Sequence, residues 1–425
     1  MGGRRAAPLG PFLVTGSTCI RCGARYRREL DGPCARCGPE GVLDVEYDLG
    51  AARRALTRRT LAARGPGMWR YRELLPIPPR ARLPPMEPGG TPLLDTPRLA
   101  EWVGVRRLRV KDESRNPTGS LKDRPSVVGV VRALAARAQV VACASTGNAA
   151  TSLAGAAASV GLPCVIFVPQ NASEAKLAQL LVFGARVIRV AASYDETWEL
   201  CQRACERYGW YNRNAAVNPS LVEGKKTAGL EIGEQTAAHV PDWVAVAVGD
   251  GCTVAGIWKG MREMQALGIL PRLPRLLGVQ AEGAQPLVSA FRQGASRAEP
   301  SGAHTIADGI AVGHPRNGRK ALAAVRESGG TFVSVSDEAM LEAMAAAGSL
   351  AGLFGEPAGV AGIAGLRAAR EQGVVAGKES ALALLTGTGL KDVRSAMRVA
   401  GGPVELPADD DALGRHLAER PVTAS

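Results

Sequence analysis

The run Asn116-Pro-Thr-Gly-Ser-Leu-Lys122-Asp-Arg124 sets one lysine between a turn-rich loop and an apolar helix. Pro117 and Gly119 interrupt regular structure, and Ser120 is placed to cap a helix predicted from Lys122 to about Ala138, a segment apolar at helical spacing. The amine of Lys122 is then near the positive end of a helix and beside Arg124. Both neighbours lower an amine pKa, and the neutral amine is the form that condenses with a carbonyl to make a Schiff base. A solvated lysine at a helix start satisfies the same nine residues, so the choice rests on what other segments supply.

Three further segments have the composition such a lysine needs. Ala144-Ser145-Thr146-Gly147-Asn148-Ala149 follows a strand-like run, Gln139 to Cys143, and precedes an alanine-rich helix. It puts two hydroxyls, a glycine and a carboxamide at the carboxyl end of a strand, where open α/β sheets place ligands, and backbone N–H groups at a helix start can hold a carboxylate. Val248-Gly249-Asp250-Gly251-Cys252-Thr253 lies between the strand Trp243 to Val248 and a helix from Val254 to Leu267. Its glycines let backbone N–H groups turn onto a phosphate. Asp250 would repel that phosphate and is expected to point away. Leu384-Leu385-Thr386-Gly387-Thr388-Gly389-Leu390-Lys391-Asp392 is again an apolar strand ending in hydroxyls and glycines, with Thr386 placed to meet a ring nitrogen.

Together the four segments read as a pyridoxal-phosphate site. In this order and spacing they resemble the fold type II family of pyridoxal-phosphate enzymes, and within it the threonine synthase family. Further likeness comes from Arg70 to Pro76, Gly90-Thr-Pro-Leu93, Asn218-Pro219 with Glu223-Gly-Lys-Lys-Thr227, and Glu356-Pro357-Ala358. The resemblance implies that Lys122 holds the cofactor and moves protons at Cα. By the same likeness Asn148 meets the ring hydroxyl, and Ser145, Thr146 and Gly147 take the substrate carboxylate. Gly249, Asp250, Gly251, Cys252 and Thr253 cradle the cofactor phosphate, and Thr386 faces the pyridine nitrogen. The implied reaction turns O-phospho-L-homoserine and water into L-threonine and phosphate, in a homodimer. Related enzymes instead perform β-replacement or β-elimination, as cysteate synthase-like or threonine dehydratase-like members do. A zinc-ribbon binding module with a degenerate cofactor domain is the non-enzymatic alternative. The chain departs from the family at Leu121, Pro125 and Ala149. Alanines 215 and 216 and Leu221 stand where some relatives place polar and arginine side chains on a substrate phosphate. The missing cation must then come from elsewhere, with Arg115 and Lys226 as the first candidates and Arg213 and Lys225 as others.

The elements that must position these residues alternate strand and helix from about Arg107 to Leu385, which predicts an α/β protein with two doubly wound parallel-sheet subdomains. With 425 residues, 46% hydrophobic, the chain is long enough for two lobes. We expect a small unit over residues 1–50 and a catalytic region over 51–425, with a smaller subdomain at about 122–235 inserted in the larger. No apolar run approaches a membrane span, and Phe12 to Val14 is too short for a secretory signal, so a cytoplasmic location is expected. The net charge of +12 comes from arginines spread along the chain, and aromatics make up only 4%. No basic stripe with interleaved aromatics argues for nucleic acid, and an anionic cofactor and substrate account for part of the excess. The four histidines, 239, 304, 314 and 416, form no triad or metal-binding pattern.

The nine cysteines divide into two groups. Cys19-x2-Cys22 and Cys34-x2-Cys37 are paired knuckles, each followed by a glycine, and four thiolates so spaced suit tetrahedral Zn²⁺. Two disulfides are the alternative, disfavoured in a reducing compartment. Longer threonine synthases resemble the chain here, with a cysteine ribbon ahead of the catalytic body. Cys143, Cys164, Cys201, Cys205 and Cys252 read as small buried residues.

Overall fold

Three sheets organise the chain. In the computed structural model residues 12–27, 31–170, 174–214 and 217–419 are described. The Met1-Gly-Gly-Arg-Arg start and Ala215 and Ala216 lie outside the described residues. Strands β1 (Val14–Cys19), β2 (Arg25–Tyr26) and β3 (Leu43–Tyr47) form a small antiparallel sheet in the order β2-β1-β3. Strands β4 (Leu93–Asp95) and β5 (Arg107–Asp112) begin the largest sheet. The chain then leaves it to build β6 (Val141–Ala144), β7 (Cys164–Pro169), β8 (Arg186–Val190) and β9 (Tyr211–Asn212), a parallel sheet ordered β8-β7-β6-β9. It returns with β10 (Trp243–Ala247), β11 (Arg275–Ala281), β12 (Thr331–Val335) and β13 (Ser380–Leu385) to complete the order β12-β11-β10-β13-β5-β4. Only β4 runs antiparallel to its neighbour in that sheet. This is the fold type II arrangement, with helices on both faces of parallel sheets. Among the described residues no helix is long and apolar enough to cross a membrane.

Burial on both faces explains why the central strands lack polar alternation. Val244, Val246 and Val248 pack with Leu382, Leu384 and Ile257 on one side of the large sheet. Trp243, Ala245 and Ala247 pack with Ala381, Ala383 and Leu385 on the other. Each strand therefore ends abruptly where its apolar run ends, and the loops at Ser145, Gly249 and Thr386 all leave carboxyl ends of parallel strands.

Two helices, Ser220–Gln235 and Cys252–Ala266, touch backbone to backbone behind these loops. A Cβ on Gly229 would stand 2.3 Å from the Ile257 carbonyl oxygen, and one on Gly260 would stand 2.4 Å from that of Lys226. Glycine is required at both places, and the close approach carries the Glu223-to-Thr227 run up to the loop at Gly249.

A buried ion cluster holds the lysine loop. Arg124 pairs with Glu113 at 2.7 Å and Glu231 at 3.0 Å, and Lys111 pairs with Glu231 at 2.5 Å, all four side chains almost wholly buried. Thr91 bonds Glu113 and Glu231, and Asn116 donates to Glu113 at 2.8 Å, so the Gly90-Thr91 motif and the lysine loop share one anchor. Helix Asp123–Ala135 starts later than predicted, with Lys122 itself at the cap position and no side-chain cap. Ser120 is not the cap: its hydroxyl is buried without a partner among the described residues. Asp123 instead turns back to accept from Thr118 N–H at 2.7 Å.

Removing one member of this cluster leaves a charge in the interior, which costs about 3–5 kcal/mol. We expect Arg124→Met to lower the urea midpoint accordingly. Arg124 helps hold the Glu113 carboxyl down to about 2, below its unfolded value, so its stabilisation is present at neutral pH and is lost as pH falls toward 2. Glu113→Gln is expected to flatten the acid limb of stability against pH, measured by urea unfolding at a series of pH values.

Candidate active site

Lys122, half-buried at the N-terminal cap of helix Asp123–Ala135, makes no side-chain hydrogen bond among the described residues. Burial lowers its pKa to about 8, with the like charges of Lys225 and Arg213 pushing the same way and Glu356 and Cys252 opposing. Arg124 does not act as expected: two carboxylates neutralise it, and Lys225 and Arg213 take that part.

Around Lys122 the strand-end loops converge. Leu121 N–H donates to the Thr386 carbonyl at 2.9 Å, and Ser120 bridges Gly387, so the lysine loop is laid against the end of β13. The Thr386 hydroxyl sits 3.5 Å from the Ala358 carbonyl, a weak contact that leaves it able to serve another partner. After β6, the Ser145 hydroxyl accepts from Gly147 N–H at 3.2 Å, and helix Asn148–Ala158 opens without a side-chain cap. Its first N–H groups beside the Thr146 and Ser145 hydroxyls suit a carboxylate.

Asn148 is pinned from both sides. Its amide Nδ2 donates to Glu356 Oε1 and its Oδ1 accepts from Lys391 Nζ, each at 2.6 Å. An ammonium on one side and a carboxyl on the other fix which way the amide points. Burial raises the Glu356 pKa, and burial lowers that of Lys391. The motifs that contain Glu356 and Lys391 give neither residue a role from sequence alone. A Glu-Pro pair at a helix start after a loop was the available signal.

The loop after β10 has the shape of an anion cradle. Gly251 has φ +88°, a left-handed conformation that favours glycine, and caps helix Cys252–Ala266 without a side-chain bond. A Cβ on Gly249 would crowd Ile310 and Val312 at 3.1–3.2 Å, which places the Ala307-to-Val312 segment against the loop. Asp250 turns its carboxylate to Arg316 N–H at 3.3 Å, and its carbonyl accepts from Asn317 N–H at 3.0 Å. Thr253 and Cys252 begin the helix, both buried. Glycines, uncapped helix N–H groups and no inward carboxylate fit the phosphate of pyridoxal 5′-phosphate.

The expected phosphate cations need correction. Lys226 is wholly buried away from the cleft, paired to Glu223 at 2.6 Å and Glu263 at 2.9 Å, with its ammonium 3.8 Å from the centre of the Tyr47 ring. Adjacent helix positions point different ways, so Lys225 is the one near Lys122, and neither lysine is solvated. Arg115 ends a short 3-10 turn and is exposed, with no partner among the described residues. Arg213 is buried and, among the described residues, bonds only the Ser126 hydroxyl, at 2.9 and 3.1 Å, one turn along the helix from Lys122.

The paired knuckles also meet. Cys19, Cys22, Cys34 and Cys37 hold their sulfurs within 4.8 Å of one another, with Cys22 and Cys34 3.8 Å apart. That separation matches a tetrahedral S₄ set with Zn–S near ~2.3 Å. Gly23 N–H bonds the Cys19 carbonyl and Gly38 N–H bonds the Cys34 carbonyl, both at 2.9 Å, and both glycines have positive φ. The two knuckles are thus the same turn, and all four cysteines are free thiols consistent with zinc.

Comparison with known proteins defines the class. A family described as pyridoxal-phosphate dependent enzyme matches residues 85–387. Threonine synthase of Methanosarcina acetivorans is 40% identical over 93% of this chain and 96% of its own length, and that of Methanocaldococcus jannaschii is 38% identical over 94% and 99%. In fold, the chain is similar to maize serine racemase, with a TM-score of 0.62 at 22% identity over 77% of this chain and 93% of that one. The chain therefore belongs to the pyridoxal-phosphate dependent enzymes and, among them, to the threonine synthase family.

A lysine with a pKa near 8 loses its neutral fraction about tenfold for each pH unit below that value. Uptake of pyridoxal 5′-phosphate by the apoprotein, followed by visible absorbance, is expected to speed up with rising pH and level off above about 8. Borohydride reduction and peptide mapping should find the pyridoxyl group on Lys122, and Lys122→Ala should remove turnover. A pyridoxyl group on another lysine would overturn the assignment.

Proposed function

We propose that the chain converts O-phospho-L-homoserine and water to L-threonine and phosphate, with Lys122 as cofactor anchor and base. One observation carries the substrate's phosphate. Arg213 and Lys225 are buried beside Lys122, and neither has a carboxylate within ion-pair distance among the described residues. Unpaired buried cations are costly. The cofactor's phosphate answers part of that charge, and a second dianion, the γ-phosphate of the substrate, answers the rest.

When bound, pyridoxal 5′-phosphate supplies the electron sink that stabilises negative charge at the substrate's α-carbon. The protein's own groups do the remainder. Gly249 to Thr253 hold the phosphate through backbone N–H groups, and Asn148, oriented by Glu356 and Lys391, presents its amide to the ring hydroxyl. Thr386 offers a neutral hydroxyl to the ring nitrogen. Ser145, Thr146 and Gly147 hold the substrate carboxylate, which fixes the α-hydrogen relative to Lys122. With its pKa near 8, the Lys122 amine can take that α-proton without a large mismatch. Removal of a Cβ proton then expels the γ-phosphate, Cγ gains a proton, and water adds its hydroxyl at Cβ as Cα is reprotonated. Arg213 and Lys225 keep the departing phosphate ionised and bound while water adds. A homodimer and a cytoplasmic location are part of the same reading.

The test is parallel incubation with phosphohomoserine, phosphoserine and threonine, measuring phosphate and keto-acid release. Phosphate and threonine from phosphohomoserine are expected; phosphate from phosphoserine alone would transfer the chain to a β-eliminating or β-replacing activity. Loss of one charge-assisted contact is worth about 10- to 100-fold. Lys225→Met and Arg213→Met should each raise KM for phosphohomoserine by about that factor, with the cofactor's visible band retained.

A further inference from the structure

The cysteine ribbon does not hang from the catalytic body; it is built into the back of the phosphate loop. Val42 follows Gly41, which has no room for a Cβ: one would lie 2.5 Å from Cys34 Cβ and 2.6 Å from Cys37 Cβ. The Gly41 carbonyl accepts from Cys34 N–H at 2.8 Å, and the Val42 carbonyl accepts from Ile20 N–H, between the first pair of cysteines, at 3.1 Å. Both knuckles thus set the position of Val42. Its side chain, with Ile20 beside it, packs in one small apolar cluster with Val222 and Cys252. Cys252 is the first residue of the helix that the phosphate loop opens.

A second connection runs through charge. Asp44 of β3 pairs with Lys259 at 3.2 Å and Lys320 at 2.6 Å, and Lys320 also donates to the Leu43 carbonyl at 2.8 Å. Lys320 lies on helix Gly318–Glu327, whose start braces the loop from the other side. Asn317 N–H bonds the Asp250 carbonyl, and Asn317 O and Ala321 Cβ stand within 3.0 Å of where a Gly251 Cβ would be. A third connection is Tyr47, whose hydroxyl donates to Glu223 at 2.8 Å on the helix that carries Val222. Glu223 is bound in turn to Lys226 and Lys259.

From these contacts we infer that the ribbon positions the loop Gly249–Thr253, so that metal occupancy of Cys19, Cys22, Cys34 and Cys37 sets the affinity for pyridoxal 5′-phosphate. Without the metal the knuckles lose what fixes Ile20 and Gly41, and Val42 loses its place under Cys252. The inference rests on the reading of Gly249–Thr253 as the cofactor's phosphate cradle.

The experiment measures the apparent dissociation constant of pyridoxal 5′-phosphate by visible absorbance, using the full chain. Zinc removal by chelation in reducing buffer is expected to weaken cofactor binding by about tenfold or more, with far-UV circular dichroism nearly unchanged, and added zinc should restore it. Val42→Ala tests the contact without touching a metal ligand. It should keep about one zinc per chain and still weaken the cofactor by about 3- to 10-fold, as should Tyr47→Phe to a smaller degree. Thr18→Ala, which removes only a ribbon-internal bond to Glu46 at 2.7 Å, should leave cofactor affinity unchanged. Gly251→Ala tests the cradle itself and should weaken the cofactor. If Gly251→Ala does so while Val42→Ala, Tyr47→Phe and zinc removal do not, the ribbon's positioning role is overturned and the cradle stands. If Gly251→Ala has no effect either, the cradle assignment falls with it.

Discussion

Two carboxylates neutralising two cations in the protein interior are the constraint on which the rest depends. Glu113 and Glu231 hold Arg124 and Lys111, and the same acids collect Thr91 and, through Glu113, Asn116. Such a cluster is stable only when complete, because any member left alone is a buried charge. It therefore ties together the Gly90-Thr91 turn, the end of β5, the lysine loop and helix Ser220–Gln235, which come from distant parts of the chain. Lys122 then needs no bond of its own to be placed, and its amine makes none among the described residues.

Charge in the cleft has the opposite character. Lys122, Arg213 and Lys225 stand together with Glu356 as the nearby acid, and burial makes Glu356 itself reluctant to ionise. The interior ion cluster is closed, whereas Lys122, Arg213 and Lys225 have no carboxylate within ion-pair distance among the described residues. That contrast separates Arg124, which two carboxylates neutralise, from Arg213, which has no carboxylate within ion-pair distance among the described residues, although both are buried.

The helix pair Ser220–Gln235 and Cys252–Ala266 connects these regions. Gly229 and Gly260 let the backbones meet, so a displacement of one helix is felt by the other. On one side of the pair sit Lys225 and the phosphate loop, and on the other sit Tyr47, Asp44 and Val42 of the ribbon. Lys226 belongs to that second side, where Glu223, Glu263 and an aromatic face surround it.

Local features carried much of this in the sequence. Apolar runs ending in glycines and hydroxyls mark strand ends, and parallel strands put their ligands there, so Lys122, Asn148, Gly249 to Thr253 and Thr386 could be singled out without coordinates. The paired CxxC knuckles were equally legible, since metal spacing is a property of the chain itself. What the tertiary structure alone decided was the partner of each charge. Neighbouring residues on a helix differ in direction by about 100°, so Lys225 and Lys226 cannot be told apart until Glu223, Glu263 and Tyr47 are seen around one of them. Arg124 is beside Lys122 in sequence yet is cancelled by acids 11 and 107 positions away. Glu356 and Lys391 acquire meaning only when Asn148 is found between them, because these hydrogen bonds join segments that the sequence keeps 208 and 243 positions apart.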